Sequence, residues 1–190
     1  MKAIAALSRS AAAGLGLGLV AGMAAAADGW DTLARPGAIV LFRHATAPGV
    51  GDPPGLRLGD CSTQRNLDAQ GRAEARALGE QFRRRGIAVG AVLSSQWCRA
   101  RETAQLAFGD RVREEPAFNS FFGQGPQQRD AQTAQARRLL REWQGPGALV
   151  VVTHQVNITA LTGHATASGE GVVVRPTAEG PVRVIATLRP

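Results

Sequence analysis

Three apolar runs in this chain end abruptly in polar residues that can do chemistry. AIVLFRHA at 38–45 closes on Arg43-His44, and a run at 87–93 closes on Ser94-Ser95 with Arg99 just beyond. ALVVV at 148–152 closes on Thr153-His154. Arginine suits planar, bidentate recognition of phosphate, and an imidazole is a nucleophile when neutral. Ile39, Val40, Leu41 and Phe42 show no polar alternation, the pattern of a strand buried on both faces of a parallel sheet. Open α/β sheets place ligand sites at the carboxyl ends of their strands. Read singly, each pair is also compatible with a strand running out into a polar loop, and a lone His there with a hydrogen-bonded structural residue. If the three strands are parallel neighbours, all the groups meet at one edge of the sheet.

The intervening segments supply what such a sheet needs. Residues 47–60, dense in Gly and Pro, read as a surface loop of the kind that carries binding residues. Asp68 is a plausible N-cap for a helix over 69–85, with Ala75, Leu78 and Phe82 on its apolar face and Gly86 as its stop. Further helices are expected over 97–108, 130–143 and 157–163, and a final hairpin or pair of edge strands over 172–175 and 182–188. Residues 116–128, with Phe118, Phe121 and Phe122, show no clear period; these rings and Trp97 read as core or pocket wall. Strands alternating with helices specify an α/β fold: three α/β/α layers around a mostly parallel central sheet.

The amino terminus reads as a signal peptide over 1–27. Lys2 and Arg9 form the basic region, an Ala/Gly/Leu stretch follows, and Ala24 to Ala27 offer small residues for cleavage before Asp28. A retained anchor is the alternative. Its removal leaves one domain over 28–190 and lowers the net charge from +7 to +5. Every remaining cation is Arg, scattered over helices rather than gathered into a basic tract, so no nucleic-acid partner is expected. Cys61 and Cys98 can pair in an exported protein and flank candidate site segments. Two Cys and three His without close spacing make no structural zinc site, and no metal or other cofactor is expected.

Taken in order, these motifs resemble the histidine phosphatase superfamily, of phosphoglycerate-mutase-like fold. RHA at 43–45 is similar to its Arg-His-Gly motif, RNLDAQGRAEA at 65–75 to the segment opening its first helix, SSQWCRARETA at 94–104 to its second-arginine motif, and VVTHQ at 151–155 to its second-histidine motif. The resemblance implies that His44 is a nucleophile carrying a phosphohistidine, and that Arg43, Arg99 and His154 bind phosphate oxygens. His164 matches no motif and reads as structural, Arg101 as solvated, and Arg65 as either pocket support or an ion-pair partner. Two departures stand out. Ala45 replaces the usual Gly, and a general acid is not obvious, Glu114 and Glu115 being the nearest candidates between the second Arg and second His. The expectation is an exported, metal-independent phosphomonoesterase, periplasmic or secreted, acting on a small phosphorylated substrate and without stable membrane insertion after signal cleavage. The export signal and QRNL segment resemble the lipopolysaccharide-core heptose phosphatase group, which suggests an envelope sugar phosphate. The alternative is a non-catalytic phosphate-binding module of the same fold.

Overall fold

The structure, a computed structural model, describes residues 29–189; the expected signal peptide over 1–27 lies outside the described residues. Six strands form one mixed sheet in the order β3-β2-β4-β1-β5-β6. They are β1 (Ile39–Arg43), β2 (Val89–Ser94), β3 (Val112–Glu114), β4 (Ala148–Thr153), β5 (Gly171–Arg175) and β6 (Arg183–Leu188). The first four run parallel, whereas β5 and β6 add antiparallel on the β1 side. The helices are α1 (Gly29–Leu33), α2 (Ala69–Arg84), α3 (Cys98–Phe108), α4 (Pro126–Glu142) and α5 (Gln155–Thr162).

The uninterrupted apolar strands follow from burial on both sides. Val40 and Phe42 of β1, with Val150 and Val152 of β4, face Leu78 and Phe82 of α2 and Ala100 and Ala104 of α3. The alternate residues Ile39, Leu41, Leu149 and Val151 face Ala136 and Leu140 of α4 and Ile158 and Leu161 of α5. Each fully buried side chain of this kind stabilises the fold by about 1.5–3 kcal/mol. The edge strand β6 instead alternates between exposed and half-buried residues, as a strand with one wet face should.

Asp68 caps α2 as expected, its Oδ1 accepting from the Gly71 N–H at 2.7 Å. Gly71 is required by packing, because a Cβ there would stand 2.0 Å from the carbonyl oxygen of Thr46. That contact, together with Glu74 accepting from the Thr46 N–H and hydroxyl, fastens the chain just beyond β1 to the first turns of α2. Two elements differ from expectation. Helix α4 begins at Pro126 rather than 130, since proline with its preset φ serves at the first helical position although no apolar residue marks that turn. The short α1, absent from the periodicity, packs through Trp30 and Leu33 beneath α2 and β6. No helix among the described residues is long and apolar enough to cross a membrane.

Candidate active site

The sheet order places β2, β4 and β1 side by side and parallel, so their carboxyl ends form one edge. Arg43 aligns with Thr153, and Ser94 with Val152. The ladder continues one step further on each side: the His44 N–H donates to Thr153 O at 2.9 Å and the Ser95 N–H to Val152 O at 3.0 Å. His44 and His154 thereby sit with ring centroids 5.4 Å apart.

The His44 ring is oriented by its own strand end. Nδ1 lies 2.8 Å from the Ala45 carbonyl, which can only accept, so Nδ1 carries the proton and Nε2 bears a lone pair. The Arg99 Nε–H donates to that lone pair at 3.1 Å. Thr103, one turn further along α3, fixes the two together. Its hydroxyl donates to Arg99 O at 2.7 Å and accepts from the Ala45 N–H at 3.1 Å. Arg43 donates from Nη1 to Thr166 O. His154 Nε2 shares a 2.8 Å hydrogen bond with Ser95 Oγ, and the Trp97 indole stands edge-on to its ring. Arg43 Nε and His154 Nδ1 are buried without a protein partner, as expected of donors that a bound oxyanion would complete.

A cleft of about 790 Å³ opens over these groups. Arg43, His44, Arg65, Arg99 and His154 line its cationic floor; Phe121, Phe122 and Val50 supply apolar wall, and Arg129 and Arg137 stand on the α4 side. The loop over 47–60 contributes Asp52, whose carboxylate takes both terminal nitrogens of Arg99 at 2.7 and 3.1 Å. Asp52 also accepts from the Trp97 indole N–H at 3.0 Å and from the Arg65 N–H at 3.2 Å. Arg65 holds this loop from beneath, its side chain donating to Gly51 O and Ala47 O. Gln64 binds the loop's other limb through Arg57 O and accepts from the Cys98 N–H at the start of α3. Among the described residues, no group of three or more His, Cys, Asp or Glu side chains is placed to hold a metal ion.

These surroundings set the protonation states. Burial, and then the charges of Arg99, Arg43 and Arg65, push His44 down from 6.5 to about 3, against the opposing bond to Ala45. Burial likewise carries His154 well below its ordinary value, helped by His44 and Arg99. Burial would raise Asp52, but the paired Arg99 guanidinium outweighs it and holds the carboxyl below its ordinary value. The neutral His44 has a consequence for stability. Between pH 6.5 and about 3 the unfolded imidazole binds a proton that the folded one refuses, so stability falls as the pH drops through that window. In an NMR titration of the ligand-free protein, the His44 ring signals should show no midpoint between pH 8 and about 4.

The structure brings Arg43, His44, Arg99 and His154 to one cleft and leaves Glu114 and Glu115 outside it. Glu114 is exposed on the edge strand β3 and pairs with Arg101. Glu115 turns its carboxylate onto the Ala117 N–H, capping the 3-10 turn Pro116–Phe118. Arg101, expected in solvent, is half-buried, paired with Glu114 and laid against the sulfurs of a disulfide. That bridge joins Cys61 to Cys98 and staples the loop to the first residue of α3, next to Arg99. It closes a loop of 37 residues, for which the chain-entropy account gives about 2–4 kcal/mol. The Cys61→Ser/Cys98→Ser double variant should lose that much stability in urea denaturation. Of the aromatic residues at 118–122, Phe118 is core, Phe121 is wall, and Phe122 is 61% exposed at the mouth. Asp52 was not anticipated. Its one signal is an acid inside a Gly/Pro loop that follows a strand's carboxyl end.

Two histidines and three arginines thus line the floor of one cleft at the carboxyl edge of a mixed α/β sheet. Residues 39–146 match the histidine phosphatase superfamily, branch 1. The chain belongs to that superfamily, a family of phosphatases, and the match takes in β1 through α4 with Arg43, His44 and Arg99. No curated protein sequence is significantly similar. Solved structures share the fold. SixA of Agrobacterium tumefaciens is 21% identical with a TM-score of 0.55, the similarity covering 82% of this chain and 99% of that one. The alpha-ribazole phosphatase of Shigella flexneri is 17% identical with a TM-score of 0.58, over 78% and 97%. A protein histidine phosphatase SixA complexed with tungstate is 16% identical with a TM-score of 0.54, over 80% and 96%.

Proposed function

We propose that this chain is an exported phosphomonoesterase that works through a phosphohistidine on His44 and needs no metal. The observation that carries the reading is the state of His44: neutral, with Nδ1 tied to Ala45 O and the Nε2 lone pair turned to Arg99. When an ester's phosphoryl group takes the Arg99 donors, Nε2 attacks phosphorus as the ester oxygen leaves, and water then hydrolyses the P–N bond. A transferring phosphoryl group spreads charge over its equatorial oxygens, so rigid cationic donors provide most of the catalysis. Arg43 and Arg99 supply guanidinium forks, and His154 supplies its buried Nδ1, which has no protein partner. Arg65 supports the loop and adds charge. Binding of tungstate by a SixA relative fits an oxyanion site of this kind.

The substrate is proposed to be a small phosphorylated compound of the cell envelope, an envelope sugar phosphate first. The basic and apolar amino terminus supports export, as does the Cys61–Cys98 disulfide, since such bonds persist in oxidising compartments such as the periplasm. The cleft is large enough for a sugar beyond the phosphate. The test is hydrolysis of p-nitrophenyl phosphate by the chain lacking 1–27, with chelator present, beside His44→Ala. Chelator-resistant turnover that the variant lacks supports the reading. Equal, slow hydrolysis by both returns the chain to a non-catalytic phosphate-binding module, and chelator-sensitive turnover overturns the metal-free mechanism.

A further inference from the structure

The family resemblance pointed to an acid between Arg99 and His154, and the structure puts neither Glu114 nor Glu115 in the cleft. Two carboxylates among the described residues do line it, Asp52 and Asp130. Asp130 has a side chain 68% exposed on α4 and is paired with Arg129. Asp52 is 15% exposed and sits on the Arg99 fork, whose Nε edge touches His44 Nε2. One guanidinium therefore separates the proposed nucleophile from a carboxylate. We infer that Asp52 is the proton-transferring residue of this site, switched from counter-ion to acid by the arrival of the phosphate ester. The inference rests on the phosphatase reading above.

The switch follows from which of its bonds the ligand replaces. A phosphoryl group that takes the Arg99 fork displaces the Asp52 carboxylate from it. The Trp97 indole and the Arg65 N–H still hold that carboxylate over the site, because neither bond involves Arg99. Asp52 has then lost its cation and gained a dianionic neighbour, and both changes favour the neutral acid. It takes up one proton from solvent. As His44 Nε2 bonds to phosphorus and the P–O ester bond breaks, the departing oxygen takes that proton and leaves as the alcohol. In the second half, the Asp52 carboxylate accepts a proton from water as the new O–P bond forms and P–N breaks, regenerating neutral His44. Inorganic phosphate departs, Asp52 returns its proton to solvent and closes again on Arg99.

Asp52→Asn keeps the shape and an acceptor for Trp97 but cannot carry the proton. On an alkyl phosphate its kcat should fall about 10²–10⁴-fold, the usual contribution of general acid–base catalysis. On p-nitrophenyl phosphate, whose leaving group needs no proton, the variant should release one equivalent of p-nitrophenol per site in a fast burst and then turn over slowly, with phosphohistidine accumulating. Inhibition by inorganic phosphate, measured alongside, should be retained, which shows the pocket to be intact. Equal losses on the two substrates without a burst would overturn the inference and leave Asp52 a counter-ion. Unchanged or faster turnover on both would overturn it too. Failure of the underlying phosphatase reading is distinct, since wild type and His44→Ala would then be equally slow on p-nitrophenyl phosphate.

Discussion

Replacing His44 by alanine is expected to lower kcat for phosphate-ester hydrolysis by about 10⁴-fold or more, the scale on which nucleophile removal acts when the rest of a site is intact. The loss is so large because nothing else lining the cleft offers the same atom. His154 is buried beside it, but its Nε2 is engaged with Ser95. Ser95 contacts His154 but does not line the cleft, and the Ser120 hydroxyl at its wall accepts from the Phe122 N–H. The change should spare the fold. His44 is 2% exposed, yet its side chain bonds only to Ala45 O and Arg99, and the β1–β4 ladder runs through backbone groups. Binding of inorganic phosphate should survive, since Arg43, Arg99 and His154 remain. Calorimetric phosphate titration and steady-state kinetics on the same preparation check both halves.

The second large effect belongs to Arg99. Arg99→Ala should lower kcat/KM by about 10²–10³-fold or more, as removal of a preorganised donor to a developing anion does. The guanidinium is 3% exposed and touches His44 Nε2 through one edge and Asp52 through both terminal nitrogens. Removing it strips the phosphoryl group of a donor fork and leaves Asp52 without its cation, so burial is no longer offset by that guanidinium and the Asp52 carboxyl moves upward. Arg99→Lys keeps the charge but has one nitrogen where the site uses three, and it should restore little of the activity. Arg101→Ala, two residues along α3, is the control. Arg101 pairs with an exposed glutamate on the far side of the helix start, and its loss should change kcat/KM less than about threefold.

Much of this site was legible because buried parallel strands announce themselves. Ile39 to Phe42 and Ala148 to Val152 are apolar at every position, and the first polar residue after each marks the sheet edge. The signal that opens α2 was also local, since Asp68 caps its first turn. What escaped notice depends on tertiary contact. Asp52 stands in a Gly/Pro loop where an acid ordinarily serves a turn, and Gln64, Arg65 and the disulfide fold that loop back over Arg99. Glu114 and Glu115 fell in the expected stretch of sequence. The edge position of β3 nevertheless exposes the first, and the Pro116 turn engages the second. The start of α4 escaped because its first turn, Pro126 to Arg129, has no apolar residue to set the period.

The most direct test of the account is the covalent intermediate itself. The chain lacking 1–27 is mixed briefly with p-nitrophenyl phosphate, quenched in alkali and digested, and the peptides are weighed. The account predicts one added phosphoryl group, labile to acid, on the peptide carrying His44 and absent from His44→Ala. Steady turnover with no such adduct, or with the phosphoryl group on another residue, would contradict it.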